Sequence, residues 1–180
     1  MHSSTKRIAL CGILSALAIV ILFLGGLFPL ATFTAPALAG ILLWPIGLEF
    51  NLQSGLMAWI GVGFLSLFLV PDKEMSLIFL FLLGFYPQIK GKLDKIHNKL
   101  LQWLSKMALF FITFFSMYGL ILFLFPTGDI AEDFKDTGTL FLVALVLIAA
   151  LTFVLYDLCL DRIRLVYYYR LRPILFGKGR

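Results

Sequence analysis

Long apolar runs separated by short polar interruptions predict a helical chain that crosses a bilayer repeatedly. The first run, 8–30, is 23 residues long. It loosens at Gly25-Gly26 and stops at Pro29, which places a first span over about 8–28. A second run, 33–48, is shorter and contains Pro36 and Pro45. A kinked span is expected there, because neighbouring groups or water satisfy the carbonyls that proline frees. Glu49 and Asn51 mark a tight turn, and a third span follows over 52–70. The charged loop Pro71-Asp72-Lys73-Glu74 ends it, and a fourth span covers 75–89, weakened by Gly84 and Pro87 near its end.

The stretch 92–106 differs in kind. Leu93, Ile96, Leu100, Trp103, Leu104 and Met107 recur at three- and four-residue spacing, with Lys92, Lys95, Lys99 and Lys106 at other positions. Such a pattern is an amphipathic helix lying on the interface, or the projecting end of span five. Span five proper is expected over 107–125, then a polar, acidic loop over 126–137. A sixth span over 138–160 leads into a basic tail with Tyr167-Tyr168-Tyr169, residues that suit the head-group level.

Charge orients these spans. Thirteen basic residues fall at the N-terminus, between spans four and five, and in the C-terminal tail, against Lys73 and Lys135 in the remaining loops. Lys and Arg excess in short flanking loops marks the cytoplasmic side. The expected fold class is therefore an all-α integral membrane protein of six transmembrane helices. Both termini are cytoplasmic, a short amphipathic inner segment joins helices four and five, and residues 1–180 form one membrane domain with a basic tail over 161–180. The first run is too long for a signal-peptide core of about 7–15 residues, so it reads as a retained span.

Composition narrows the function. With 61% apolar and 14% charged residues the chain is far from a soluble domain, which has about a quarter charged. The net charge of +5 fits attraction to anionic lipid rather than nucleic acid. Cys11 and Cys159 sit in or beside apolar helical segments and read as small buried hydrophobes, not a disulfide or a metal site. No HExxH, Gly-x-Ser-x-Gly, P-loop or Cys-x-x-Cys is present, and His2 and His97 lack neighbouring ligands. The expectation is a non-enzyme without cofactor or metal, unable to hydrolyse ATP by the usual machinery. Asp157 is the best ionisable candidate inside a span; a salt bridge to Arg162 or Arg164, or access to head groups, is the reading favoured over a functional role. Lys106 is expected to snorkel to the inner interface. No acidic relay crosses the bilayer centre, which speaks against an autonomous ion-coupled pump.

The outer side holds the candidate chemistry. Thr32, Phe33 and Thr34 follow span one, Asp72, Lys73 and Glu74 follow span three, and Tyr118 lies in the outer half of span five. Together they offer hydroxyls, aromatic faces and charges around one small polar solute. Each also suits an ordinary turn or helix cap. In span one, Gly12 and Ala16 stand four apart with Ala9 and Ser15 near the same face, a spacing that lets another helix approach closely.

The opening Thr5-Lys6-Arg7-Ile8-Ala9-Leu10-Cys11-Gly12-Ile13-Leu14-Ser15-Ala16-Leu17-Ala18, the proline-containing second span and the lack of an energy-coupling residue resemble the substrate-binding S components of energy-coupling factor (ECF) transporters. The likeness is one of layout over about residues 5–160. It implies a six-helix protein of the cell membrane that captures a vitamin-like or other micronutrient from outside. A transmembrane T component and two ATPase subunits would supply the energy. It also implies that Ala9, Gly12 and Ala16 dock the T component, in place of the family's Ala-x-x-x-Ala pattern, and that the loop holding Thr32–Thr34 acts as lid. A different class of function is a non-transporting membrane scaffold, whose eleven basic residues in the inner segment and tail would hold a partner or anionic lipid.

Overall fold

The computed structural model describes residues 4–28, 31–124 and 139–171. Among these, every regular element is helical: α1 (Ser4–Gly25), α2 (Thr34–Glu49), α3 (Leu52–Leu69), α4 (Lys73–Ile78), a π segment (Phe79–Leu83), α5 (Tyr86–Leu93), α6 (Lys99–Leu124), α7 (Thr139–Val166) and a second π segment (Tyr167–Leu171). They fall into two compact units, Met1–Pro126 and Thr127–Arg180. The loop 126–137, Lys135 and the tail beyond Leu171 lie outside the described residues.

Among the described residues three helical stretches, Ile8–Gly25, Leu52–Leu69 and Lys99–Leu120, are long and apolar enough to cross a membrane; α2 is apolar but has only 16 residues. Their outward faces are greasy. Phe68 is 82% exposed, and Ile13, Phe64, Ile112 and Phe115 are also exposed. Contiguous apolar surface of this kind suits lipid rather than water.

The polar breaks in the sequence set where the helices of the first unit begin and end. Asn51, in extended backbone, caps α3 by accepting from Ser54 N at 2.7 Å. Asp72 caps α4 in the same way through Met75 N at 3.0 Å. Pro36 lies in the first turn of α2, where no intrahelical acceptor awaits its nitrogen, and Pro45 lies inside the helix.

Small residues bring these helices together. Ala18 and Leu22 of α1 pack with Ala35, Ala39, Leu43 and Ile46 of α2, Val62 of α3, and Met75 and Phe79. A Cβ on Gly25 would overlap the Ala35 methyl, and one on Gly63 would overlap Leu80 Cδ1. Where lipid is as apolar as the side chains, such close packing is what holds helices against each other.

The helical stretch 73–93 packs against α2, α3 and α6 and is buried along most of its length. Its middle is a π segment, closed by Gly84 N donating to Phe79 O at 2.9 Å. Trp59 Nε1 of α3 donates to the Leu80 carbonyl of this segment at 3.1 Å, with the Trp59 ring 5.0 Å from that of Phe85.

Four expectations change. The stretch 92–106 is not one amphipathic helix: α5 ends at Leu93, a turn follows, and α6 starts at Lys99 and runs on without interruption. Residues 99–106 are continuous with the helix that follows them. Lys106 does not snorkel outward. It is 4% exposed and its Nζ lies 2.8 Å from Asp94 Oδ1, because the turn after α5 brings a carboxylate within reach. In the second unit, α7 runs 28 residues, to Val166, beyond the expected end near residue 160. Asp157 is buried, so access to head groups does not explain it.

Candidate functional site

Hydrogen bonding at the α3–α4 turn gathers four of the seven candidate solute residues into two pairs. Because Asp72 caps α4 through Oδ1, its Oδ2 is left to accept from Thr32 Oγ1 at 3.4 Å, which ties the turn after α1 to the turn after α3. Two residues on, Glu74 Oε1 accepts from the Tyr118 hydroxyl of α6 at 3.2 Å. The Tyr118 ring rests on Phe114, centroids 4.7 Å apart, which fixes the direction of the hydroxyl. Ser76 supports the turn from beneath, donating to Ser66 O and Asp72 O at 3.1 Å each.

Burial raises the Glu74 carboxyl above its ordinary value of 4.5; the Tyr118 hydrogen bond opposes this, and the nearby Asp72 carboxylate adds to it. Thus three segments that meet only in the folded chain present two carboxyl groups, a hydroxyl and a phenol at one end of an otherwise apolar bundle. That set can accept hydrogen bonds from a small polar solute, or receive a positive charge.

The other three candidates are placed differently. Lys73 is not free to meet a solute: its Nζ donates to Leu67 O at 2.8 Å and to Val70 O at 2.9 Å, closing the C-terminus of α3, where a cation is favoured. Thr34 donates to Ala31 O at 3.4 Å, and both Phe33 and Thr34 are exposed. They form a lip beside the pairs rather than part of them.

On α1, Ala9, Gly12 and Ala16 are all exposed, and a Cβ on Gly12 would meet nothing within 4 Å. This small-residue face is therefore open. The tight crossing of α1 with α2 lies on the opposite side, at Ala18, Leu22 and Gly25.

Sequence reasoning missed a second polar cluster at the other end of the first unit. Asp94, in the turn after α5, takes Lys106 at 2.8 Å, Lys90 at 3.8 Å and Gln102 Nε2 at 2.9 Å. Lys90 is fully buried. The available signal was spacing: Lys90 and Asp94 stand four apart, as do Gln102 and Lys106, so each pair shares a helix face. Treating 92–106 as one interfacial helix hid it. Among the described residues no group of three or more His, Cys, Asp or Glu could hold a metal ion. Compared with known protein families, curated proteins and solved structures, the chain matches none of them.

Proposed function

We propose that this chain is a multi-pass protein of the cell membrane with six spans and cytoplasmic termini. It acts as the solute-capturing S component of an ECF-type importer. The observation that carries the reading is the joining of Thr32 to Asp72 and of Glu74 to Tyr118, which concentrates polar groups from three segments at one end of the bundle. On the charge pattern of the loops that end faces outward. A small, vitamin-like solute binds there by displacing one or both of these internal hydrogen bonds, and Phe33 and Thr34 line its approach. The open Ala9–Gly12–Ala16 face supports docking of a T component, whose paired ATPase subunits provide the energy that nothing in this chain supplies.

Native mass spectrometry of freshly purified protein tests solute capture; co-expression with a T component tests docking. Retained small molecule, lost on Glu74→Gln with Tyr118→Phe, is the expected result. Gly12→Leu is expected to abolish co-purification while leaving folding intact, because its side chain enters open space. Folded protein that holds no ligand and no partner refutes the role.

One observation favours a scaffold instead. Lys92, Lys95 and Lys99 are exposed beside the exposed Leu100, Leu101, Trp103 and Leu104, a basic and apolar pairing that suits anionic lipid. Changing the three lysines to Gln would then remove function without touching solute binding.

A further inference from the structure

Near the turn between α2 and α3, residues from three helices crowd one point. A Cβ on Gly55 of α3 would stand 2.9 Å from the Cα of Gly47 in α2, so the two backbones approach as closely as glycine permits. Gln88 of α5 reaches into this crossing, and its Oε1 occupies the place that a Cβ on either glycine would take. Gln88 is 6% exposed, yet among the described residues neither Oε1 nor Nε2 has a hydrogen-bond partner. The glycines can offer only weak Cα–H contacts. A buried carboxamide left in this condition opposes the packing that holds it, whereas an apolar side chain of similar size would not.

We propose that Gly47, Gly55 and Gln88 form a latch between the α2–α3 hairpin and α5, with an engaged and a released position. In the engaged position the helices gain close contact and the amide goes unpaired. In the released position α5 shifts, the amide finds hydrogen-bond partners, and the close contact is given up. Neither position dominates strongly, because each forgoes what the other supplies.

The chain just before Gln88 is built to permit the shift. In the π segment Phe79–Leu83 the Leu80 carbonyl accepts from the side chain of Trp59 on α3. Gly84 has no room for a Cβ against Phe79, and Pro87 contributes no N–H. Helices with a π turn and a proline in succession bend and re-register there more readily than elsewhere. The latch does not depend on the transport reading. It does lie on the same 73–93 stretch whose first turn carries Asp72 and Glu74, so a change at one end has a mechanical route to the other.

Deuterium exchange on the full-length protein in nanodiscs, with thermal unfolding alongside, tests this. Gln88→Leu is expected to slow exchange about tenfold or more in 47–55 and 84–93, leaving 108–120 unchanged, and to raise Tm. Gly47→Ala is expected to speed exchange in the same two peptides and lower Tm, because its methyl would meet Gln88 Oε1 while the Gly55 Cα stands 3.9 Å off. Gly47→Ala combined with Gln88→Ala is expected to recover most of that loss, since the shortened side chain makes room for the new methyl. Three results overturn the latch: unchanged or faster exchange in Gln88→Leu; slowing spread evenly over α1 to α6, which marks a merely structural residue; or a double variant no better than Gly47→Ala alone. If Gly47→Ala does not fold, Gln88→Leu and the double variant still decide.

Discussion

Replacing Asp94 by Ala removes the carboxylate that two buried lysines share. At an effective dielectric of about 20, a unit pair about 4 Å apart is worth about 4 kcal/mol. Lys90 stands 3.8 Å from one oxygen and Lys106 2.8 Å from the other, so both contacts are of at least that order before desolvation is counted. Water reaches Asp94, whose side chain is 20% exposed, while the lysine side chains are 0% and 5% exposed. Removing one partner from such a cluster typically costs about 3–5 kcal/mol, and screening at Asp94 points to the lower end. For a chain of this length each kcal/mol moves Tm by about 2–4 °C, so Asp94→Ala is expected to lower Tm by about 10 °C. Asp94→Asn, which keeps an acceptor for Gln102 Nε2 but loses the charge, is expected to fall between. Lys95→Ala, at an exposed position, serves as control and is expected to shift stability by less than about 0.5 kcal/mol. Intrinsic tryptophan fluorescence during heating in detergent reads all three. An Asp94→Ala Tm within about 2 °C of the parent would refute the assignment of these contacts to the stability of the α5–α6 turn.

Two further outcomes follow from the first unit. Glu74 binds its proton more readily in the folded chain than its ordinary value of 4.5 allows, so its contribution to stability is fully present below about 4.5 and is lost as pH rises through the raised folded value. Tm measured against pH should show this decline, Glu74→Gln should remove it, and Tyr118→Phe should move it to higher pH, because the tyrosine hydrogen bond holds the carboxyl down. An identical pH profile in Glu74→Gln would assign the decline to another group. Glycines, in turn, divide by what surrounds them. Gly25→Ala is expected to destabilise by about 1–3 kcal/mol because the new methyl overlaps that of Ala35. Gly61→Ala, facing open space within a helix, is expected to be neutral or to stabilise by up to about 1 kcal/mol. Thermal unfolding of the pair checks both, and equal effects would show that helix packing is not what distinguishes them.

Helix ends were the most legible part of the sequence, because they are local decisions. Asn51 and Asp72 are capping residues wherever an apolar run begins just after them, and both cap as their chemistry dictates. Thr32, Asp72, Glu74 and Tyr118 were recognisable as polar groups near one end, but which pairs with which depends on helix rotation, and that is set by Ala18, Ala35, Ala39 and the glycines. Lys73 was misleading for the same reason: its charge is identical whether it meets a solute or the end of α3. The π segment left no trace in the apolar run Phe79–Leu83, since any of those side chains fits an ordinary turn equally well. Lys90 and Lys106 were hidden by their identity, because a lysine near a span end normally reaches for the interface. Only the fold supplies the turn that puts Asp94 between them.

The brevity of α2 bears on the lipid around the protein. Sixteen residues rise about 24 Å, less than the roughly 30 Å of an average hydrocarbon layer. On the proposed reading, in which α2 is one of six spans, acyl chains beside this helix must compress or splay to meet it, at a modest elastic cost for each ångström of mismatch. On that reading the molecule favours thin, fluid regions over sterol-like, ordered ones, a bias set by the length of one helix and independent of what the protein binds.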